Sequence, residues 1–205
     1  MKFKKNLFIS FEGPEASGKS TQIKLLSSYL KKRLIPHVIT REPGGTKIAE
    51  KLRKIILDKN ESISATEEIL LLMAARSNHI NKIIKPSLKE GKIVISDRFV
   101  DSTFVYQGFV NKFGLKKTMD LHKNILDNFL PDKTFLFVLP SKIVNKRLKS
   151  RKVANKYDKL NLSFHNKVIK GYKLISHKNN RFHLLDATKL IKLIHSEIIS
   201  EIYNI

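Results

Sequence analysis

The chain has 205 residues, enough for one α/β domain with a sizeable core and short for two. It carries 40 Lys and Arg against 18 Asp and Glu, a net charge of +22, but its lysines are scattered rather than gathered into a tail or an aromatic-studded strip, which suits solvated helix faces better than a nucleic-acid surface. The absence of cysteine excludes disulfides and thiolate metal sites.

In chain order, a lysine-rich start leads into an apolar run at 7–11 that stops at Glu12, too short for a signal peptide. No later stretch has the length and freedom from charge of a membrane span, so a soluble, cytoplasmic protein is expected. Gly13, Pro14, Glu15, Ala16, Ser17, Gly18, Lys19 and Ser20 then match the phosphate-loop pattern G-x-x-x-x-G-K-[ST], between a strand and a helix. Backbone N–H groups at the helix start and the Lys19 ammonium suit nucleotide phosphates. The Ser20 hydroxyl suits Mg²⁺. The structural alternative is a glycine-rich turn that only joins strand to helix.

Short apolar runs recur at 7–11, 38–40, 93–96, 134–139 and 182–185, with helical spacing between them. Such unalternating runs are buried on both faces, as in a parallel sheet. Ile23, Leu26 and Leu30 mark one helix face, and Ile48, Leu52, Ile55 and Ile56 a second. Ile69, Leu72, Met73, Arg76 and Ile80 mark a third, expected to end near Pro86 before Gly91 breaks the chain. The alternation predicts a doubly wound α/β sheet, where ligands gather beyond the carboxyl ends of the strands.

The polar residues at those ends carry the chemistry. Glu12 and the phosphate loop follow the first strand. Arg41, at the end of the second, enters a tight proline–glycine turn, and its planar fork suits a phosphate; pairing with Glu42 or Glu12 is the structural alternative. The run 92–97 resembles a Walker B strand, with Asp97 placed to hold Mg²⁺ and Arg98 to neutralise a transferring phosphoryl group. A structural Asp97–Arg98 ion pair is the alternative. Two arginines, a lysine and a metal ion exceed what one nucleotide requires. They fit a donor triphosphate and an acceptor monophosphate whose own phosphate oxygen is the nucleophile.

Together with Thr40-Arg41-Glu42-Pro43-Gly44-Gly45-Thr46, Ala74-Ala75-Arg76, Asp97-Arg98 and Tyr106-Gln107-Gly108, in that order and spacing, the chain resembles the bacterial thymidylate kinase family over residues 8–186. The resemblance implies ATP-dependent conversion of dTMP to dTDP in dTTP biosynthesis, with Mg²⁺, in a homodimer without nucleic-acid or membrane partners. It implies an α/β, three-layer P-loop NTPase fold: a five-stranded parallel sheet flanked by helices on both faces, one kinase domain over 1–205 with a mobile lid at about 146–160. Residues 13–21, Thr21 included, would bind ATP, with Lys19 also catalytic and Ser20 and Asp97 serving the metal. Arg147 would lie against adenine, and the turn beginning at Asp186 would close that pocket. Arg41 and Arg98 would hold the dTMP phosphate, Arg98 also in catalysis. Arg76 would meet the thymine edge, Tyr106 and Gln107 would line the sugar and base pocket, and Glu15 would approach the sugar 3′-hydroxyl. Glu12 is a further catalytic candidate, as the base that a kinase acting on a free 5′-hydroxyl needs.

Two positions depart from the family pattern. Leu72 stands where a Phe often stacks on thymine; it covers the base without the ring preference of about 0.5–1.5 kcal/mol. Ala16 stands where one branch has an arginine, so the chain resembles the branch that delivers an arginine from the lid. The lid here reads Asn155-Lys156-Tyr157-Asp158, so Lys156 or the neighbouring Arg151 would reach the ATP phosphates, Lys156 without a bidentate fork. Other readings stay open: a kinase for another nucleoside monophosphate or a deoxynucleoside, a P-loop protein binding nucleic acid, or a degraded enzyme that keeps the fold.

Overall fold

The computed structural model describes residues 5–58, 62–150 and 161–203. The five apolar runs form β1 (Phe8–Glu12), β2 (His37–Arg41), β3 (Ile93–Asp97), β4 (Lys133–Val138) and β5 (Phe182–Asp186). All pairings are parallel, in the order β2-β3-β1-β4-β5. Nine α-helical segments accompany them among the described residues: α1 (Lys19–Lys32), α2 (Lys47–Leu57), α3 (Ala65–His79), α4 (Lys85–Lys89), α5 (Val100–Thr103), α6 (Leu115–Leu126), α7 (Ser141–Lys149), α8 (Leu162–Ser176) and α9 (Ile191–Tyr203).

Central β1 is buried at every position, because strands flank both its edges and helices cover both its faces. Alternating side chains divide the strands between two cores. Ile9, Phe11, Ile95, Phe135 and Phe137 meet Ile23, Leu26 and Leu30 of α1 and Ile194, Ile198 and Ile202 of α9. Phe8, Val94 and Leu136 meet Ile69 and Met73 of α3, Val100 of α5, and Val168 and Tyr172 of α8. Helices therefore lie on both faces, giving three layers. Each fully buried phenylalanine here stabilises the fold by roughly 1.5–3 kcal/mol.

The third helix passes through a π-turn at Ile80–Ile84 and ends as α4 at Lys89, three residues beyond Pro86 and just before Gly91, as expected. Pro86 lies where the π-turn gives way to α4. One helical expectation is corrected: in α2 the inward residues are Ala49 and Ile56, whereas Ile48 and Ile55 are 55% and 44% exposed. This helix packs on α3 rather than flat on the sheet, so its buried stripe is narrow and rotated.

The register sets the site. Phe11 pairs with Asp97, and Asp97 with Arg41, so β1, β2 and β3 end level and deliver Glu12, Arg41 and Arg98 to one edge of the sheet.

Candidate active site

The loop after β1 is shaped by its glycines. Gly13 has φ +134°, and a Cβ there would stand 2.7 Å from the Phe137 carbonyl oxygen, so no other residue fits. Lys19 opens α1 but folds back: its Nζ donates to the carbonyls of Gly13 (3.2 Å) and Pro14 (2.8 Å) and to Ser17 Oγ (3.3 Å). Burial, then the nearby Arg98, bring its pKa from 10.5 down to about 8, against the pull of Asp97, Glu15 and Glu12. Ser20 Oγ donates to Asp97 Oδ2 at 3.0 Å, joining the loop to the tip of β3. A hydroxyl and a carboxylate side by side are hard oxygen ligands that fit Mg²⁺.

Arg98 has φ +70°, a left-handed conformation costing a non-glycine residue about 1–3 kcal/mol. Its own bonds hold it there. Nη1 donates to Gly13 O (2.9 Å), Ser102 Oγ (3.0 Å) and the Tyr172 hydroxyl (3.2 Å), and Nη2 to Glu15 Oε1 (2.9 Å). Beneath this cluster Glu12 is fully buried. It accepts from the Phe99 N–H (2.7 Å), Ser102 Oγ (2.7 Å) and the Tyr172 hydroxyl (2.8 Å). Burial, then the nearby Asp101, raise its pKa to about 7, although Arg98 and the Ser102 and Phe99 hydrogen bonds oppose this. Both oxygens are engaged and the residue is absent from the cavity wall described below. Its place is that of a positioning group under Arg98, not of a base facing a substrate. Asp101, paired through both oxygens with Arg181 (2.8 Å each), ties α5 to the start of β5.

Glu15 takes the Arg98 bond and two from the Tyr106 hydroxyl (2.9 and 2.8 Å). Burial pushes its pKa up, but Arg98, Lys19 and Tyr106 together outweigh that and hold it below the usual range. Arg41, 55% exposed, pairs with Glu50 at 3.0 Å rather than with Glu12 or Glu42. Arg76 donates through Nε to Glu42 (2.7 Å) and through Nη2 to Thr103 (2.8 Å). The other Glu42 oxygen meets His79 Nδ1 at 2.9 Å, and His79 Nε2 meets Thr40 Oγ1 at 2.6 Å. Burial alone would raise Glu42, but Arg76 and His79 hold it low and ionised; an ionised carboxylate only accepts, so Nδ1 carries the proton. Gly45, at φ +87°, lies against this pair: a Cβ would come within 2.6 Å of Thr40 Oγ1 and 2.7 Å of His79.

One cavity of about 590 Å³ gathers these groups, within the range of about 300–1,000 Å³ usual for small-molecule sites. Its wall includes residues 15–21, Arg41, Arg53, Leu72, Arg76, Asp97, Arg98, Tyr106 and Gln107. The phosphate loop and both strand-end arginines thus face one chamber.

The family model of thymidylate kinase matches residues 11–198. Thymidylate kinase from Rickettsia bellii (strain OSU 85-389) is 44% identical over 177 residues, covering 86% of this chain and 85% of the relative. That from Thermoanaerobacter sp. (strain X514) is 40% identical over 197 residues, covering 95% and 96%. The crystal structure of thymidylate kinase from Ehrlichia chaffeensis superposes with a TM-score of 0.79 at 34% identity, covering 97% of this chain and 99% of that one.

The chain belongs to the thymidylate kinase family.

Other expected site residues of this family member sit off the cavity wall. Arg147 donates to Ala16 O (3.3 Å) and Ala187 O (3.0 Å), stapling the phosphate loop to the turn after β5. Asp186 folds that turn by accepting from Thr188 N (2.9 Å) and Oγ1 (2.6 Å). Arg151 and Lys156, and the lid from 151 to 160, lie outside the described residues. Arg53, Phe99, Ser102 and Thr103 on the wall, and Tyr172 behind it, are site residues that no sequence expectation named. Phe99, Ser102 and Thr103 directly follow Asp97-Arg98, which is the one local signal for them. Arg53 and Tyr172 sit on distant helices with no motif of their own.

Proposed function

We propose that this crevice carries out ATP-dependent phosphorylation of dTMP to dTDP, with donor and acceptor phosphates meeting between the phosphate loop and Arg98. Loop N–H groups and Lys19 hold the ATP phosphates. Ser20 and Asp97 would hold Mg²⁺, which supplies charge neutralisation on the triphosphate. Arg98 and Arg41, with Arg53 alongside, receive the acceptor phosphate; Arg41 is exposed enough to leave Glu50 for it. A phosphate oxygen of dTMP attacks the γ-phosphorus as its bond to the β–γ bridging oxygen breaks, releasing ADP. Leu72 and Phe99 cover the base, Arg76 and Gln107 read its edge, and Glu15 with Tyr106 faces the sugar. Arg147 and the Asp186 turn border the adenine side. The active unit is one domain. It works as a homodimer, for which the exposed Ile48, Ile55 and Leu70 of α2 and α3 offer an apolar face to a second copy. No helix among the described residues is long and apolar enough to cross a membrane, which suits a cytoplasmic place.

The observation that carries this reading is the sharing of one cavity by the phosphate loop, Arg41 and Arg98. Its test is ADP release with ATP–Mg²⁺ and a panel of nucleoside monophosphates. A kcat/KM for dTMP at least about tenfold above those for dCMP, dAMP and dGMP, about 1.4 kcal/mol, is expected. Equal rates across the panel, or preference for another base, would contradict it.

A further inference from the structure

Arg76 and His79 stand one helical turn apart on α3, so both project from one side of it. Between them they take the two oxygens of one carboxylate. Arg76 Nε donates to Glu42 Oε2 at 2.7 Å, and His79 Nδ1 to Glu42 Oε1 at 2.9 Å. The contacts continue from His79 Nε2 to Thr40 Oγ1 at 2.6 Å. Arg76 and Glu42 belong to the cavity wall. His79 is wholly buried, lies outside that wall, and serves no step of the proposed reaction.

A guanidinium has five N–H donors in a fixed planar fork. Here Nε is committed to Glu42, one Nη2 donor to Thr103 at 2.8 Å, and one Nη1 donor to the weak acceptor Met73 Sδ at 3.9 Å. Each terminal nitrogen keeps one further N–H. Where those donors point depends on how the fork is held, and Glu42 holds it at Nε. A carboxylate gripped at one oxygen swings about its last, soft torsion; gripped at both it does not. His79 supplies the second grip, and Thr40 keeps the imidazole from turning over. The grip is the same for a neutral and a charged ring. The ionised Glu42 only accepts, so Nδ1 donates in either state.

We propose that His79 is a positioning residue for base recognition: through Glu42 it fixes the Arg76 fork so that the remaining donors meet a carbonyl on the base edge. Thymine presents such an acceptor, O4, where cytosine presents an amino donor. The inference deepens the base-pocket assignment made above and rests on it. Thr40 and Glu42 also flank Arg41 in the chain. A clamp acting on Arg41 instead would weaken dTMP and dCMP alike, because the two share their phosphate.

The test is steady-state kinetics with dTMP, dCMP and ATP on the full-length enzyme, His79→Leu, Arg76→Met and the double variant. In His79→Leu, KM for dTMP is expected to rise at least about tenfold, as for a lost hydrogen bond to a charged group, with KM for ATP within about twofold. The dTMP-to-dCMP ratio of kcat/KM falls with it. In the Arg76→Met background, His79→Leu is expected to add nothing to the dTMP loss, because the fork it positions is gone. Equal losses for dTMP and dCMP, or a His79 effect that adds in full to that of Arg76→Met, overturn the inference. If His79→Leu does not fold, Thr40→Val frees the imidazole with little change of shape and carries the same two comparisons, and titration calorimetry reads the ratio without turnover. An Arg76→Met variant that handles dTMP as the unmutated enzyme does would instead overturn the base-edge assignment beneath the inference.

Discussion

The Lys19 ammonium is held by three loop oxygens while burial and Arg98 work against its charge. Its pKa of about 8 makes nucleotide binding pH-dependent. Anionic phosphates favour the charged form, so ATP affinity falls as pH rises through about 8, and binding above that pH takes up a proton. The unfolded chain binds more protons than the folded one between about 8 and 10.5, so this lysine also makes the free protein more stable as pH rises across that window. Titration calorimetry at pH 8.5 in buffers of different ionisation heat checks the uptake, with Lys19→Met as the variant that removes it; affinity flat from pH 7 to 9.5 contradicts it. Lys19 was legible in the sequence because its motif is contiguous. So were Arg41, Arg98 and Asp97, because strand ends are where a parallel sheet puts its ligands. Glu12 was legible as a buried acid at a strand tip but not as the support of Arg98. That role depends on Ser102 and Tyr172, which lie 90 and 160 residues away along the chain.

Glu12, Ser102 and Tyr172 join β1, α5 and α8 under Arg98. Between pH 4.5 and about 7 the folded chain keeps a proton on Glu12 that the unfolded chain has lost. Stability therefore declines as pH rises through that window, and the loss is complete above it. Its size is on the order of 2–4 kcal/mol. Glu12→Gln removes the ionisation, so its melting temperature should gain on that of the unmutated protein by several degrees between pH 5 and pH 8, measured by circular dichroism. A constant gap across the range would contradict the raised carboxyl. At this scale the strands were readable because each is a short apolar run. The π-turn at Ile80–Ile84 was not, since the spacing of apolar residues there reads as ordinary helix. Nor was the turned face of α2, whose outward Ile48 and Ile55 break the rule that apolar spacing marks the buried side.

Across the whole molecule, the fold brings to one edge what the sequence spreads from residue 13 to residue 107. The net charge of +22 adds a field that attracts anionic nucleotides to the molecule. In the proposed reaction one cavity holds two nucleotides end to end, phosphates facing. An inhibitor with thymidine and adenosine joined through five phosphates spans that arrangement. Steady-state inhibition by this compound is the most direct measurement. Competition against both ATP and dTMP is expected, with one molecule bound per chain. Competition against only one of the two substrates would contradict it.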